Sequence, residues 1–261
     1  MTANTAHRHD RELLLGGTKR NTVLELWEVQ RYGSDSYDDP NYVSIYGMPP
    51  AAWYAKGARI LGRTAVECTR DGLGDAIGKD VALVARHAPG AEHPVIVDPF
   101  AGSGNTLYWL ARHLPGGRSI GFESDASVFR LTRHNMSALA LSIEIIEADY
   151  QSGLAGLSVA RDGLLVAFIA PPWGDALDET AGLDLQRTTP PVAAIVDLLV
   201  RTFPHSPLLC AIQIHETVRS ASAAELRARF DWSTQRIYGL NAPGQNHGLL
   251  LGTKRWSPEG H

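Results

Sequence analysis

The chain has 261 residues, which suits one large domain or one domain with an appendage, and its 44% hydrophobic content supplies an ample core. Its 24 Lys and Arg against 28 Asp and Glu give a net charge of −4, so no basic surplus advertises nucleic acid, although an enzyme acting on one nucleotide needs only a local basic patch. Cys68 and Cys210 lie in no CxxC pattern, no run of 18 apolar residues occurs and no signal-peptide core is visible; neither disulfides, structural zinc nor a membrane is suggested, and a soluble cytoplasmic protein is expected.

Residues 1–20 are polar and mixed and read as a flexible tail. Residues 21–90 form a helical N-terminal appendage. Within it, "VLELWEVQRY" has apolar residues at helical spacing, "GSDSYDDPNY" reads as a loop, and "PPAAWYAKGARILGRTAVECTRDGLGDAIGKDVALVARHA" reads as helices broken by glycines. Seven aromatic residues crowd its first part; they could simply pack on the main domain as core, or a few of them, Trp53 and Tyr54 first, could form an acceptor lid that keeps water out of an adjoining cleft.

Residues 91–261 alternate strand and helix. "VIVDPF", "SIGFES", "SIEIIEA", "GLLVAFIA" and "LLCAIQI" are strand-like; "TLYWLARHL", "SVFRLTRHNMSALAL" and "PVAAIVDLLVRTF" are helix-like. "SAAELRARF" opens with Ser222 and Glu225 at capping-box spacing. This alternation implies βαβ units and a mainly parallel sheet with both faces covered. "STQRIYGL" and "HGLLLGTK", joined by "NAPGQN", have no room for a helix between them and predict an antiparallel hairpin at the sheet edge.

The polar residues at the strand ends carry the chemistry. After the first strand, "DPFAGSGNT" places Asp98, Phe100 and Ala101 ahead of Gly102, Ser103 and Gly104, with a helix starting at Asn105 or Thr106. Glycines there let backbone approach a ligand, and the helix start supplies N–H groups. No Lys-Ser or Lys-Thr follows, which disfavours a phosphate loop, and Ser103 lacks the GxSxG frame of a nucleophile elbow. Glu123, followed by Ser124, ends the second strand, where a carboxylate can accept both hydroxyls of a ribose or remain a solvated loop acid. Asp149, followed by Tyr150, ends the third, placed either to accept from an exocyclic amine or to cap a helix. The fourth strand ends in "IAPPWG", with Ala170, Pro171, Pro172 and Trp173 forming a stiff aromatic corner. His215 follows the fifth strand and could serve as a base or a structural partner; His247 in the hairpin is given no particular role. Asp175, Asp178 and Glu179 read as a solvated acidic loop or as a receiver for an amine acceptor.

In this order and combination the motifs resemble class I S-adenosylmethionine-dependent methyltransferases over roughly residues 95–255. The resemblance implies a Rossmann-like, seven-stranded α/β sheet and S-adenosyl-L-methionine as cofactor. Asp98, Phe100 and the loop Ala101 to Thr106 would border its methionine part, Glu123 and Ser124 its ribose, Asp149 and Tyr150 its adenine, and Ala170 its reacting end. Pro171, Pro172 and Trp173 would hold the acceptor, with His215 beside it. In amino-group methyltransferases a polar residue precedes the two prolines; here Ala170 stands in its place, leaving backbone carbonyls as acceptors. "PPWGDALDETAGLDLQRTTPP" is most similar to the trimethylguanosine synthases, the RNA cap guanine-N2 methyltransferases. The resulting expectation is N-methylation of a small, flat metabolite. RNA guanine-N2 methylation and a non-catalytic nucleotide-binding module are the alternatives.

Overall fold

The computed structural model describes residues 9–178, 180–240 and 246–258. Five N-terminal helices come first: α1 (Arg11–Leu15), α2 (Leu26–Tyr37), α3 (Pro50–Ala55), α4 (Gly62–Glu67) and α5 (Asp71–Ala85). Then β1 (Val95–Asp98), α6 (Asn105–His113), β2 (Arg118–Glu123), α7 (Ala126–Ala138), β3 (Ile143–Glu147), α8 (Tyr150–Gly156) and β4 (Leu165–Ile169) alternate. A 3-10 turn (Gly174–Ala176) leads to a two-stranded ribbon, β5 (Leu177–Asp178) and β6 (Gly182–Leu183). The chain ends with α9 (Val192–Thr202), β7 (Leu208–His215), α10 (Ser220–Arg227), β8 (Trp232–Tyr238) and β9 (His247–Lys254).

The main sheet has seven strands in the order β3-β2-β1-β4-β7-β9-β8. β1 pairs in parallel with both β2 and β4, β4 in parallel with β7, and β9 runs antiparallel between β7 and β8. This is the Rossmann-like methyltransferase architecture expected from the sequence, hairpin included. The chain turns outward in both directions from β1, so the crevice at the carboxyl ends of β1 and β4 is the topological switch point where such sheets bind ligands. Strand alternation separates two cores. Val166 and Phe168 of β4 face a layer containing α5, α6, α7 and the N-terminal helices, whereas Leu165, Ala167 and Ile169 face α8, α9 and α10.

Several expectations change. The tail assigned to residues 1–20 does not hold from residue 9 onward: Asp10 caps α1 by accepting the Leu13 N–H, and Leu14 is fully buried in the first core. Residues 1–8 lie outside the described residues. α2 continues through "GSDSY", read as loop, because its C-terminal Tyr37 packs on Tyr42. The capping box at Ser222 and Glu225 is not formed; α10 starts two residues earlier, and the Ser222 hydroxyl donates to the Arg219 carbonyl while accepting the Leu185 N–H. Residues 241–245, which fall in the predicted connection "NAPGQN", and the last three residues lie outside the described residues.

α5 is not broken by its glycines, as the sequence reading had it, but uses them for a close approach to α6. A methyl group at Gly74 would lie 2.5 Å from Cδ1 of Trp109, and one at Gly78 2.5 Å from Cδ2 of His113. The same interface carries hydrogen bonds from Trp109 Nε1 to Asp71 (2.8 Å) and between His113 Nε2 and Asp75 (2.8 Å). Gly74→Ala is therefore expected to destabilise the protein by about 1–3 kcal/mol through overpacking, although alanine is favoured over glycine inside a helix by about 1 kcal/mol. Urea unfolding of the two proteins measures the sign.

Candidate active site

The loop after β1 is fixed from three sides. Glu123 at the end of β2 accepts the Gly102 N–H with Oε2 (3.0 Å) and the Asp125 N–H with Oε1 (2.8 Å). Thr132 of α7 donates to the Gly102 carbonyl (2.6 Å), and the Tyr46 hydroxyl donates to the Ser103 carbonyl (2.5 Å). Gly102 and Gly104 have φ of +50° and +71°, which favours glycine, and the nearest atom to a methyl group built at Gly102 is the Phe100 carbonyl oxygen at 3.9 Å. The loop backbone is thus rigid yet open on its outer side.

Asp98 is buried at the bottom of this loop, accepting the Phe100 N–H at 2.9 Å. Loss of water around it pushes its carboxyl up to about 7, with the charge of Glu123 adding to the effect. Burial likewise raises Glu123 above the usual carboxylate range, against the two N–H groups it accepts. Phe100 and Tyr150 lie with ring centroids 5.5 Å apart and planes tilted by 35°, flanking the ends of β1 and β3. Asp149 is exposed and caps α8, accepting from the Gln151 and Ser152 N–H groups at 2.9 and 3.0 Å. These bonds, with one from the Ser152 hydroxyl, hold its carboxyl below the ordinary range. The capping alternative is therefore realised, with the carboxylate beside Tyr150. Ser124 is exposed next to Glu123.

Three loop residues assigned to the cofactor serve the fold instead with their side chains. Asn105 is fully buried: Oδ1 accepts the Tyr46 N–H (2.6 Å), and Nδ2 donates to the Thr69 carbonyl (2.7 Å) and to Asp71 Oδ1 (3.2 Å). The Ser103 hydroxyl accepts the Asn105 N–H at 3.3 Å, and Thr106 is buried in the first turn of α6. Only their backbone remains available to line a ligand.

The proline corner sits at the carboxyl end of β4. Pro171 is buried, Pro172 exposed and Trp173 half-buried. The Trp173 ring stacks on His247 (5.3 Å, 28°) and meets His215 edge-on (6.0 Å, 90°). The pairing of His215 with His247 across β7 and β9 places both imidazoles at the site end of the sheet. His215 accepts the Thr217 N–H at Nδ1 (3.2 Å), a structural bond of the kind the sequence reading set beside a base role.

The lid residues proposed from sequence do not reach this place. Trp53 is fully buried, its indole N–H bonded to the Val43 carbonyl (3.0 Å), because its size serves the first core. Tyr54 bonds to Glu25, with the Arg59 guanidinium 3.7 Å above its ring. The N-terminal segment instead approaches through Tyr46 and Thr69. Thr69 donates to Gln213 Oε1 (3.3 Å), and Gln213 Nε2 donates to His247 Nδ1 (2.9 Å). Neither Thr69 nor Gln213 was singled out in the sequence, though Gln213 was detectable as the one polar residue within the run "LLCAIQI". Asp178 caps its own loop by accepting the Thr180 and Ala181 N–H groups; Glu179 lies outside the described residues. Among the described residues no cluster of His, Cys, Asp or Glu could hold a metal ion, and no helix is long and apolar enough to cross a membrane.

No protein-family profile matches the chain. Its backbone superposes on the METTL16 MTase domain with a TM-score of 0.56 at 13% identity, covering 89% of this chain and 82% of that one, and on a delta-N form of that domain with a TM-score of 0.50 at 14% identity, covering 72% and 84%. These likenesses establish the fold, that of the class I methyltransferases. A curated relative, the 4-amino-L-phenylalanine/4-methylamino-L-phenylalanine methyltransferase of Streptomyces pristinaespiralis, is 31% identical over 119 residues. The match takes in 46% of this chain and 38% of the relative, well under two thirds of its length.

His247 makes the site's pH behaviour testable. Burial, followed by the positive charge of Arg70, holds its imidazole down to about 4 against an ordinary 6.5. Between these values the unfolded chain binds more protons than the folded one, so this contribution to stability is complete above about pH 6.5 and is lost as pH falls through about 4. Wild type should lose on the order of 2–3 kcal/mol more than His247→Phe over that interval, read by urea unfolding at a series of pH values.

Proposed function

We propose that the chain is an S-adenosylmethionine-dependent methyltransferase that methylates the amino nitrogen of a small, flat aromatic acceptor. The observation that carries this reading is the placement of Trp173, clamped by His247 and His215 at the end of β4, beside the strand whose end holds Asp98 and the glycine loop. The cofactor fits the residues present. The open backbone at Gly102 and the buried Asp98 suit its methionine part, Glu123 its ribose, and Phe100, Asp149 and Tyr150 its adenine. When bound, it supplies an electrophilic methyl group on sulfonium sulfur.

The chain's task is then to position the acceptor nitrogen. The carbonyls of Ala170 and Pro171 accept the amine N–H groups, and the Trp173 ring lies against the acceptor's flat face. Ala170 fits an arylamine better than an alkylamine. An arylamine is uncharged at neutral pH and presents its lone pair without a base, whereas an alkylammonium must first lose a proton. The relative is named for two 4-aminophenylalanines, which are arylamines on a flat ring; we carry that acceptor class over to this chain. The second reading, RNA guanine-N2 methylation of the trimethylguanosine synthase kind, draws on the "PPWG" resemblance. The net charge of −4 and the acids Asp175 and Asp178, two and five residues after Trp173, weigh against a polyphosphate partner.

A screen with methyl-labelled cofactor tests both readings. Label is expected in 4-amino-L-phenylalanine and simpler anilines and not in nucleosides or cap analogues; labelling of cap analogues alone reverses the order. Trp173→Ala should lower kcat/KM by roughly 100-fold while leaving cofactor affinity intact; joint loss of fold and cofactor binding would make Trp173 a core residue. Asp98 gives a separate check, because a cationic cofactor prefers its ionised form. Cofactor affinity measured by calorimetry should weaken below pH 7, approaching tenfold per pH unit, and Asp98→Asn should flatten that dependence.

A further inference from the structure

The N-terminal segment delivers a largely buried cation to the turn that follows β2. Arg63 is the second residue of α4, and the start of that helix is clamped against the chain before α2: the Gly62 and Arg63 N–H groups donate to the Thr22 and Arg20 carbonyls, each at 3.0 Å. The Arg63 side chain is 14% exposed, and its Nη2 forms an ion pair with Asp125 Oδ2 at 2.6 Å. Its Nε finds no hydrogen-bond partner among the described residues. A guanidinium in the first turn of a helix opposes the helix dipole, and burying it against a single carboxylate gains the fold little. What Asp125 does accounts for the placement. Asp125 spends Oδ1 on capping α7, accepting the Ser127 and Val128 N–H groups at 2.9 and 3.1 Å, which leaves Oδ2 to Arg63. Its own N–H donates to Glu123 Oε1 (2.8 Å), while the Gly102 N–H donates to Oε2 (3.0 Å). Each oxygen of Glu123 therefore takes one backbone N–H and retains capacity for one hydroxyl. Burial raises the Glu123 carboxyl; the two N–H groups oppose this, and so does the charge of Arg63.

We propose that Arg63 is a positioning residue for the cofactor: by pinning Asp125 it fixes the turn that orients the Glu123 carboxylate, so that Glu123 meets both ribose hydroxyls at once. This rests on Glu123 receiving the ribose, as read above, and specifies what holds it in place. Arg63 acts without touching the cofactor, since its Nε and Nη2 are shielded from solvent. The N-terminal segment thereby contributes to cofactor binding through one ion pair. Without that pair the turn at Ser124 and Asp125 is tied by the α7 cap alone, and the Asp125 N–H that steadies Glu123 loses its second support.

The test is calorimetry with S-adenosylhomocysteine and its 2′,3′-dideoxy form, which differ only in the two hydroxyls that Glu123 would accept. Wild type should prefer the diol by roughly 100-fold, and Arg63→Met should cut that preference about tenfold while affinity for the dideoxy probe stays unchanged. Arg63→Lys, which keeps the charge but not the planar fork, should restore part of it. Equal weakening of both probes overturns the inference, because Arg63 would then serve the fold only. So does a preference that survives intact in Arg63→Met. Should that variant not fold, Asp125→Asn decides: asparagine also caps a helix, so α7 is kept while the ion pair is lost. The diol preference should fall there too, and an unchanged one overturns the inference. Glu123→Gln separates the two readings. It should remove most of the preference and leave Arg63→Met little further to remove. A diol preference that survives Glu123→Gln refutes the ribose role itself; loss in Glu123→Gln with none in Arg63→Met refutes only the positioning.

Discussion

A single buried amide, Asn105, joins the two halves of the site. Its oxygen takes the N–H of Tyr46 and its nitrogen reaches the carbonyl of Thr69 and the carboxylate of Asp71, while its own backbone begins α6 behind the glycine loop. A buried asparagine satisfied in this way imposes a specific register, because any shift would leave polar groups without partners in a dry interior. Asn135 repeats the device on α7, exchanging two bonds with the backbone of Arg59 (2.9 and 2.7 Å). The N-terminal segment is thereby docked onto α6 and α7 as part of the same core.

That docking brings the N-terminal segment against the glycine loop and against β7. The strand ends and their loops supply Asp98, Gly102, Glu123 and Tyr150, which suit a nucleoside bearing a cation. Thr69, in the segment before α5, is linked through Gln213 to His247 and so to the ring of Trp173. Burial acts on the titratable groups here in the same sense, raising the carboxyls of Asp98 and Glu123 and lowering the imidazole of His247, so that each is pushed toward its neutral form.

Legibility in the sequence followed the range of the interaction that decides each feature. The β1 loop, Glu123 and the proline corner were readable because each is a local motif at the end of an apolar run, and the hairpin was readable because the chain between its strands is too short for a helix. The helices within residues 21–90 were partly misread. Gly74 and Gly78 look like breakers until Trp109 and His113 are seen to occupy the space that side chains would need. Trp53 and Tyr54 were assigned to a lid on composition alone, yet the indole N–H of Trp53 finds its partner at Val43 inside the core. Ser222 had the spacing of a cap and instead spends its hydroxyl on Leu185 and Arg219.

The sequence by itself determined the sheet, its antiparallel end and the motifs that end its strands, since periodicity and strand-end patterns need only near neighbours along the chain. Only the tertiary structure decided what surrounds the proline corner. The links from Thr69 to Gln213 and from Tyr46 to Asn105 join residues far apart in the chain, and no periodic pattern records such a pairing. The same holds for the corner with which β4 ends. Its prolines and tryptophan announce a stiff aromatic shelf, but the orientation of that shelf is set by two histidines brought alongside by β7 and β9.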